Sequence, residues 1–290
     1  RDVMRNYSDY FDTKTIKMYV AGNRQQRQWT IQAARELEIM PTTEGSLNFK
    51  QDITETVDGY SGLEHSLPIY PIFGDVVELF TQMKRTYTPT LLVSYGGPWA
   101  ENYFLENENP HDDKKLRRFI PHEAVDYMTR RRSQWFLPEE YVFEDHARFV
   151  ADLVAAGGRA GIGSHGGGDL RLQGIGYHWE LWAMQSGGLS PHDALAVATR
   201  HGAEAIGLDQ DLGSLAVGKL ADLIVLRSNP LEDIRNTSTI RYVMMNGRLF
   251  EADSLDEIYP RRRAQEPLWW WDRDPDAARL PGIVGTGGSR

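Results

Sequence analysis

The sequence predicts an α/β fold in which a parallel sheet is followed by a smaller β layer. In the first two thirds of the chain, short β-rich runs alternate with helical runs, which is the pattern of βα units. Farther along, two more β-rich runs are followed by the turn-forming pair Asn246-Gly247, and they indicate a separate β layer. A length of 290 residues allows about two domains and a sizeable buried core.

The elements of the parallel sheet follow one another along the chain. The predicted strands are residues 15–20, 39–43, 60–65, 88–93 and 159–163, and the predicted helices are residues 25–38, 75–84 and 143–156. In the last helix Phe143, Ala147 and Val150 fall on one face, and Gly157-Gly158 then stops it. We therefore predict about five βα units.

Residues 94–141 form a long insertion with little strand character. Loops of more than about 15 residues in compact domains are usually functional or disordered. The aromatic residues here, which include Trp99, Tyr103, Phe104, Tyr127, Trp135 and Phe136, are too many for simple disorder. Two interpretations remain open: the insertion covers a substrate, or it only adds packing.

A strong helix start at Ser190 opens the last part of the chain. Ser190 is a preferred N-cap residue, Pro191 matches the first helical position, and Asp193 is the acid three residues after the cap. This helix is predicted to run to about Ile206. We assign residues 1–207 to the α/β part, 208–253 to the small β layer with strands at 220–226 and 240–245, and 254–290 to an extended tail.

The composition excludes several classes of function. The formal net charge of −9 argues against non-specific binding of nucleic acid, which relies on a basic surface. No stretch approaches the roughly 20 apolar residues that a membrane span needs. Cysteine is absent, which excludes disulfides, thiolate zinc sites and cysteine nucleophiles.

Four ionisable residues lie in or directly after predicted strands. Lys17 lies inside the first strand, whereas Glu44, His65 and His165 lie at or just after the ends of later ones. Parallel α/β folds keep their sites at the carboxyl ends of strands, and imidazole and carboxylate groups bind zinc and similar ions. Taken singly, a strand-end histidine is more often a hydrogen-bonded structural residue, and a strand lysine usually lies at an edge. The recurrence over four strands favours a shared metal site.

Two further segments are candidates for a functional role. Residues 161–166, GIGSHG, match the dinucleotide pattern G-x-G-x-x-G, but the next convincing helix begins only near Gly176, so a nucleotide-binding module is a secondary alternative. In the helical run 176–182, His178 or Glu180 could reach a site above the last strand, although core aromatics with a solvated Glu180 explain the run slightly better. Five other histidines received no role: His111, His122, His146, His192 and His201.

Residues 189–250 resemble the metal-dependent amidohydrolase superfamily. The helix LSPHDAL at 189–195, the segment GSLAVGKLADL at 213–223 and the run VMMNGR at 243–248 resemble its last barrel helix and its return to a small β-sandwich. Upstream, the segments around Lys17, His65 and His165 resemble strands four, six and eight of its (β/α)8 barrel. The segments TEG at 43–45, DGY at 58–60 and GYHWE at 176–180 resemble members fused to a TolB-like β-propeller.

The resemblance implies the C-terminal part of a (β/α)8 TIM-like barrel with strands of a β-sandwich. It implies a hydrolase that cleaves amide or peptide C–N bonds in a small-molecule or peptide substrate through a metal-activated water. The cofactor would be one or two divalent metals, with zinc first and iron or manganese as alternatives. Lys17 would be carboxylated to bridge the metals, and His65 would be a ligand.

Three departures from the family pattern bear on the site. Thr42 or Thr43 stands where the fifth-strand histidine belongs, so Glu44 is predicted to supply an oxygen ligand instead. His165 replaces the eighth-strand aspartate, and because imidazole moves protons near neutral pH it could be ligand or base. Glu180 or Asp169 are the other candidates for proton transfer. Because of these two replacements, a catalytically degenerate scaffold or binding protein is the alternative function. The third departure is that the first-strand H-x-H pair is absent from the chain.

The resemblance starts near the fourth barrel strand, and the chain begins without an initiator Met. We expect a companion N-terminal chain or segment to supply the first barrel strands, since a parallel barrel cannot close without them. An oligomeric assembly is expected for the same reason. Propeller-fused relatives suggest a periplasmic or secreted protein.

Overall fold

The parallel sheet predicted from the sequence is present in the computed structural model, which describes residues 1–19, 22–129, 136–165 and 173–271. Its strands are β1 (Thr15–Met18), β2 (Met40–Glu44), β3 (Gly62–Glu64), β4 (Thr86–Thr88) and β5 (Arg159–Ala160). They pair in parallel and lie side by side in chain order. Strands in sequential order with helices between them are what a segment of a TIM-like barrel requires.

Eleven helices are assigned within the described ranges. They are α1 (Asp2–Phe11), α2 (Arg24–Glu36), α3 (Phe49–Asp58), α4 (Gly74–Gln82), α5 (Ala100–Asn107), α6 (Lys114–Phe119), α7 (His122–Thr129), α8 (Phe143–Ala155), α9 (Ile175–Ser186), α10 (Pro191–Ala196) and α11 (Gly202–Ala205), with a π turn at Val197–His201 joining the last two. None of these helices combines the length and apolar character that a membrane crossing needs.

The two faces of the sheet differ in chemistry. Leu63 and Tyr87 are fully buried on the outer face, where Tyr87 contacts Phe80 and Phe149 edge-to-face at 5.8 and 5.0 Å. The alternate residues Glu64 and Thr86 instead line a cavity on the inner face. This period-2 alternation gives each strand a helix-covered side and a polar interior side.

The fourth strand ends earlier than predicted. Residues 88–93 were expected to be a strand, whereas β4 ends at Thr88 and a 3₁₀ turn follows at Leu91–Val93. Pro89 has no N–H for the ladder, and Thr90 has a φ of 51°, so the chain leaves the sheet at this point.

The described part of the insertion, residues 94–129 and 136–141, is largely helical and packs into the main core. Phe104 of α5 stacks on Trp179 of α9 with ring centroids 5.3 Å apart, and Leu116 and Val125 belong to the same buried cluster. Among the described residues the insertion therefore does add packing. Trp135 lies outside the described residues.

The second sheet is antiparallel, with strands β6 (Leu223–Leu226), β7 (Ile240–Met245), β8 (Arg248–Glu251) and β9 (Glu257–Tyr259). Asn246 and Gly247 have φ values of 53° and 75°, as the tight turn between β7 and β8 requires. β9 lies within the segment predicted as tail. The strand was not predicted because its sequence is polar. It is stabilised by an ion pair in which Glu257 Oε2 lies 2.6 Å from Arg248 Nη2.

Candidate active site

Lys17, Glu44 and His65 come together at the carboxyl ends of β1, β2 and β3. Glu44 Oε1 lies 2.9 Å from His65 Nε2, and the other Glu44 oxygen contacts Lys17 Nζ. Glu44 and His65 are buried, whereas 43% of the Lys17 side chain is exposed. One carboxylate thus joins the residues that the sequence had singled out on three neighbouring strands.

Close approach of β2 and β3 places Glu44 beside His65. The Gly45 N–H donates to the Glu64 carbonyl at 2.6 Å, and a Cβ on Gly45 would lie 2.7 Å from that oxygen. A side chain at this position would therefore push the two strand ends apart.

The backbone also holds His65 in place. Its φ is 72°, an unusual value for a non-glycine residue, and its N–H donates to the Thr88 carbonyl at 2.8 Å. Tyr95 stacks on its ring with centroids 5.5 Å apart, and burial raises the pKa of Tyr95 to about 12. Tyr95 therefore keeps its hydroxyl proton and can donate a hydrogen bond near the site.

His165 lies next to His65. The two ring centroids are 5.1 Å apart in an edge-on arrangement, and His165 also has a positive φ, 52°. All four predicted metal ligands are consequently linked by direct contacts: Lys17 to Glu44, Glu44 to His65, and His65 to His165. Asp169 lies outside the described residues.

The chemical types of these side chains are suitable ligands for a divalent cation. They offer one buried carboxylate and two imidazoles, which are ligands that zinc and related ions accept. A carboxylated Lys17 would place a second anion against Glu44, and a cation shared between them would remove that repulsion. Thr42 and Thr43 do not add to this set, because the Thr42 hydroxyl donates to Glu64 and the Thr43 hydroxyl faces Glu44 O and Glu55.

Glu180 is fully buried and faces the backbone that follows β4. Its two carboxylate oxygens accept from the N–H groups of Leu91 and Leu92 at 2.7 and 3.0 Å. Burial raises the pKa of Glu180 to about 8, and the two N–H donors oppose that rise. These contacts give Glu180 a structural task at the 3₁₀ turn, and its proton-transfer role stays a prediction.

We expect Glu180 to make the free energy of unfolding depend on pH. Its folded pKa of about 8 lies above the ordinary value of 4.5, so the folded state binds a proton that the unfolded state lacks between these values. This contribution is fully present at about pH 4.5 and is lost as the pH rises through about 8, by several kcal/mol. Denaturant unfolding of wild type and Glu180→Gln at several pH values measures it. Wild type should lose stability relative to Glu180→Gln as the pH rises, and a difference that does not change with pH would contradict the assignment. The exposed Glu139→Gln serves as control.

The sequence reasoning missed two features. Tyr95 was not singled out, although it is an aromatic residue shortly after the fourth strand, where sites of such folds lie. His111 and His122 received no role, yet with Asp126 they form a group whose donor atoms all lie within 4.8 Å of one another. The i, i+4 spacing of His122 and Asp126 was the available signal.

The dinucleotide alternative stays a prediction, because the residues that directly follow His165 lie outside the described part of the chain. Residues 161–165 are not helical, and the next described helix, α9, begins at Ile175. The mechanism of that motif requires the glycines to turn directly into a helix N-terminus.

Comparison with known proteins assigns the fold. Residues 132–250 match the model of the Amidohydrolase family. An Xaa-Pro dipeptidase structure with bound methionine superposes with a TM-score of 0.57 at 22% identity, covering 86% of this chain and 57% of that one. Molinate hydrolase gives 0.60 at 18% identity, covering 87% and 54%. The chain therefore has the amidohydrolase fold, and its sheets correspond to part of a TIM-like barrel and an antiparallel layer.

Curated relatives match over shorter stretches. An imidazolonepropionase of Symbiobacterium thermophilum is 40% identical over 79 residues, which are 26% of this chain and 18% of that protein. An ochratoxinase of Aspergillus niger is 33% identical over 78 residues, 26% of this chain and 16% of that protein. The matched segment thus spans less than a fifth of either relative.

Proposed function

We propose that this chain carries metal-binding strand ends of a hydrolase that cleaves amide or peptide C–N bonds. The observation that carries the proposal is the Glu44 carboxylate, which contacts both Lys17 and His65 while His165 packs against His65. The match of residues 132–250 to the Amidohydrolase family supports the reaction class.

Each residue has a task in this proposal. Glu44, His65 and a carboxylated Lys17 would hold one or two divalent ions, with zinc the first choice, and His165 would either join them as a ligand or act as the base. A bound metal would supply a Lewis acid and a water that loses its proton near neutral pH. As the base, His165 would take up that proton, because the oxygens of Glu180 are occupied by backbone N–H groups. The Tyr95 hydroxyl would donate a hydrogen bond to the substrate.

Metal content and hydrolysis test the proposal together. We expect purified protein to hold zinc, iron or manganese at one or two equivalents in the barrel site and to release amines from a panel of amides and dipeptides. With ¹³C-labelled bicarbonate, a carbamate carbon signal should appear in wild type and be missing from Lys17→Ala. A protein that takes up no metal at the strand ends when supplied with each ion would overturn the proposal.

A catalytically degenerate scaffold is the second candidate. The Glu44 carboxylate contacts the Lys17 ammonium and the His65 ring directly, and this observation favours it. Such a protein would bind ligands but would neither hold metal at the strand ends nor hydrolyse amides.

Further strands are proposed to complete the barrel. β1 and β5 form the two edges of the parallel sheet, and neither has an outer strand partner among the described residues. We propose that a companion chain or segment covers these edges and that the assembly is oligomeric. Light scattering coupled to gel filtration would find a stable 33.0 kDa monomer if this is wrong. The TolB-like propeller and an envelope location rest on the sequence motifs alone.

A further inference from the structure

We propose that His111, His122 and Asp126 form a second cation site, of the zinc type, in the insertion. It is separate from the strand-end site and does not rest on the proposed function. The three residues come from two neighbouring elements: His111 from the 3₁₀ turn Pro110–Asp112, and His122 and Asp126 from α7.

The geometry of the three donor atoms carries the inference. Asp126 Oδ1 lies 3.4 Å from His111 Nε2 and 3.7 Å from His122 Nε2. Ligand atoms around a tetrahedral zinc with bonds of about 2.05 Å are about 3.4 Å apart. Two of the three distances between ligand atoms are therefore close to the distance expected around zinc. One donor atom of each residue lies within 4.8 Å of those of the other two.

The third distance, between the rings of His111 and His122, can be shortened by rotation of the exposed His122 side chain. His122 lies at the start of α7 with 54% of its side chain exposed, so its ring can approach His111 without disturbing the core. His111 and Asp126 are less exposed, at 30% and 24%. The Thr129 hydroxyl lies 3.2 Å from His111 Nε2, and a cation bound to this nitrogen would replace that contact.

The spacing on α7 and the turn before it bring the three residues together. His122 and Asp126 are four residues apart on α7 and therefore share one face of the helix. The Asn109 side chain accepts from the His111 N–H at 3.3 Å and fixes the turn that carries His111. A cation at this site would pin the turn to α7. It would thereby stiffen an insertion that packs into the core.

Two histidines and one carboxylate are a donor set that zinc accepts in proteins, with the fourth position left to water. The chain has no cysteine, so thiolates do not compete for zinc. The exposed side of the trio leaves that fourth position open to solvent.

Titration with zinc chloride alone tests the site on the full chain. We expect His111→Ala/His122→Ala to bind one equivalent fewer than wild type, and Asp126→Asn to bind at this site at least tenfold more weakly. His192→Ala is the matched control, because His192 is an exposed histidine beside a single carboxylate, Asp193, and should bind as wild type does. A Glu44→Gln background separates this site from the strand ends.

Limited proteolysis gives an independent readout. Saturating zinc should slow cleavage of wild type within residues 108–129 at least tenfold, and it should not protect Asp126→Asn. Circular dichroism confirms that the single variant is folded. Equal zinc stoichiometry and affinity in wild type, the double variant and folded Asp126→Asn would overturn the proposal, as would equal protection from proteolysis.

Discussion

Glu44→Gln is expected to weaken divalent metal binding at the strand ends by more than about 100-fold. Loss of an outer-shell partner already costs about 10–100-fold in metal affinity, and Glu44 is proposed as a direct ligand. The amide keeps the shape of the side chain but removes the anion that contacts both Lys17 and His65. Zinc titration in a His111→Ala/His122→Ala background measures this site alone.

Glu64→Gln is the matched control for this experiment. Glu64 pairs with Glu44 in the strand register, but its Oε1 accepts from the Thr42 hydroxyl at 2.7 Å rather than facing His65. We expect this variant to bind metal within a few-fold of wild type. If Glu64→Gln loses the metal and Glu44→Gln retains it, the ligand assignment is wrong.

The position of these residues at strand ends explains why their proximity could be predicted from the sequence. Parallel strands end at one edge, so residues at the ends of successive β-rich runs meet whatever the details of the helices between them. Glu44 and His65 were found by this argument, and their contact of 2.9 Å agrees with it. Strand lengths were less predictable: β3 and β5 have 3 and 2 residues, because ladder pairing, which propensity does not describe, sets where a strand stops.

Contacts that cross the fold could not be predicted in this way. Tyr95 reaches His65 only because the chain turns after Thr88, and His111 meets Asp126 only through the packing of the insertion. Glu180 was expected to be solvated or catalytic, yet it caps a turn that is 88 residues away in sequence. Nothing local in the sequence signals such pairings.

Arg85 also stabilises the strand ends, because it joins α3 to β3. This side chain is fully buried and donates to the Asp52 carbonyl at 3.2 Å, to the Thr56 hydroxyl and to the Gly62 carbonyl at 2.9 Å. It thereby ties α3 to β3, the strand that His65 follows. Burial lowers the pKa of Arg85 to about 10, and the negative charges of Glu55 and Asp52 oppose that shift.

Arg85→Met is expected to lower the free energy of unfolding by about 3–5 kcal/mol, because it removes one partner from a buried set of charges. Methionine fills part of the volume but leaves the Gly62 and Asp52 carbonyls without this donor. Burial already raises the pKa of Asp52 to about 6, and loss of the neighbouring guanidinium should raise it further. Urea unfolding at constant pH gives the change in stability.

Arg148→Met shows whether the loss is specific to a buried arginine. Arg148 pairs with Asp145 at 2.7 Å, but 60% of its side chain is exposed, so its removal should cost no more than about 1 kcal/mol. Arg85→Lys keeps the charge with fewer directed donors and should fall between wild type and Arg85→Met. Equal losses in the Arg85→Met and Arg148→Met variants would mean that α3 and β3 are held by apolar packing alone, and that Arg85 does not support the strand end at His65.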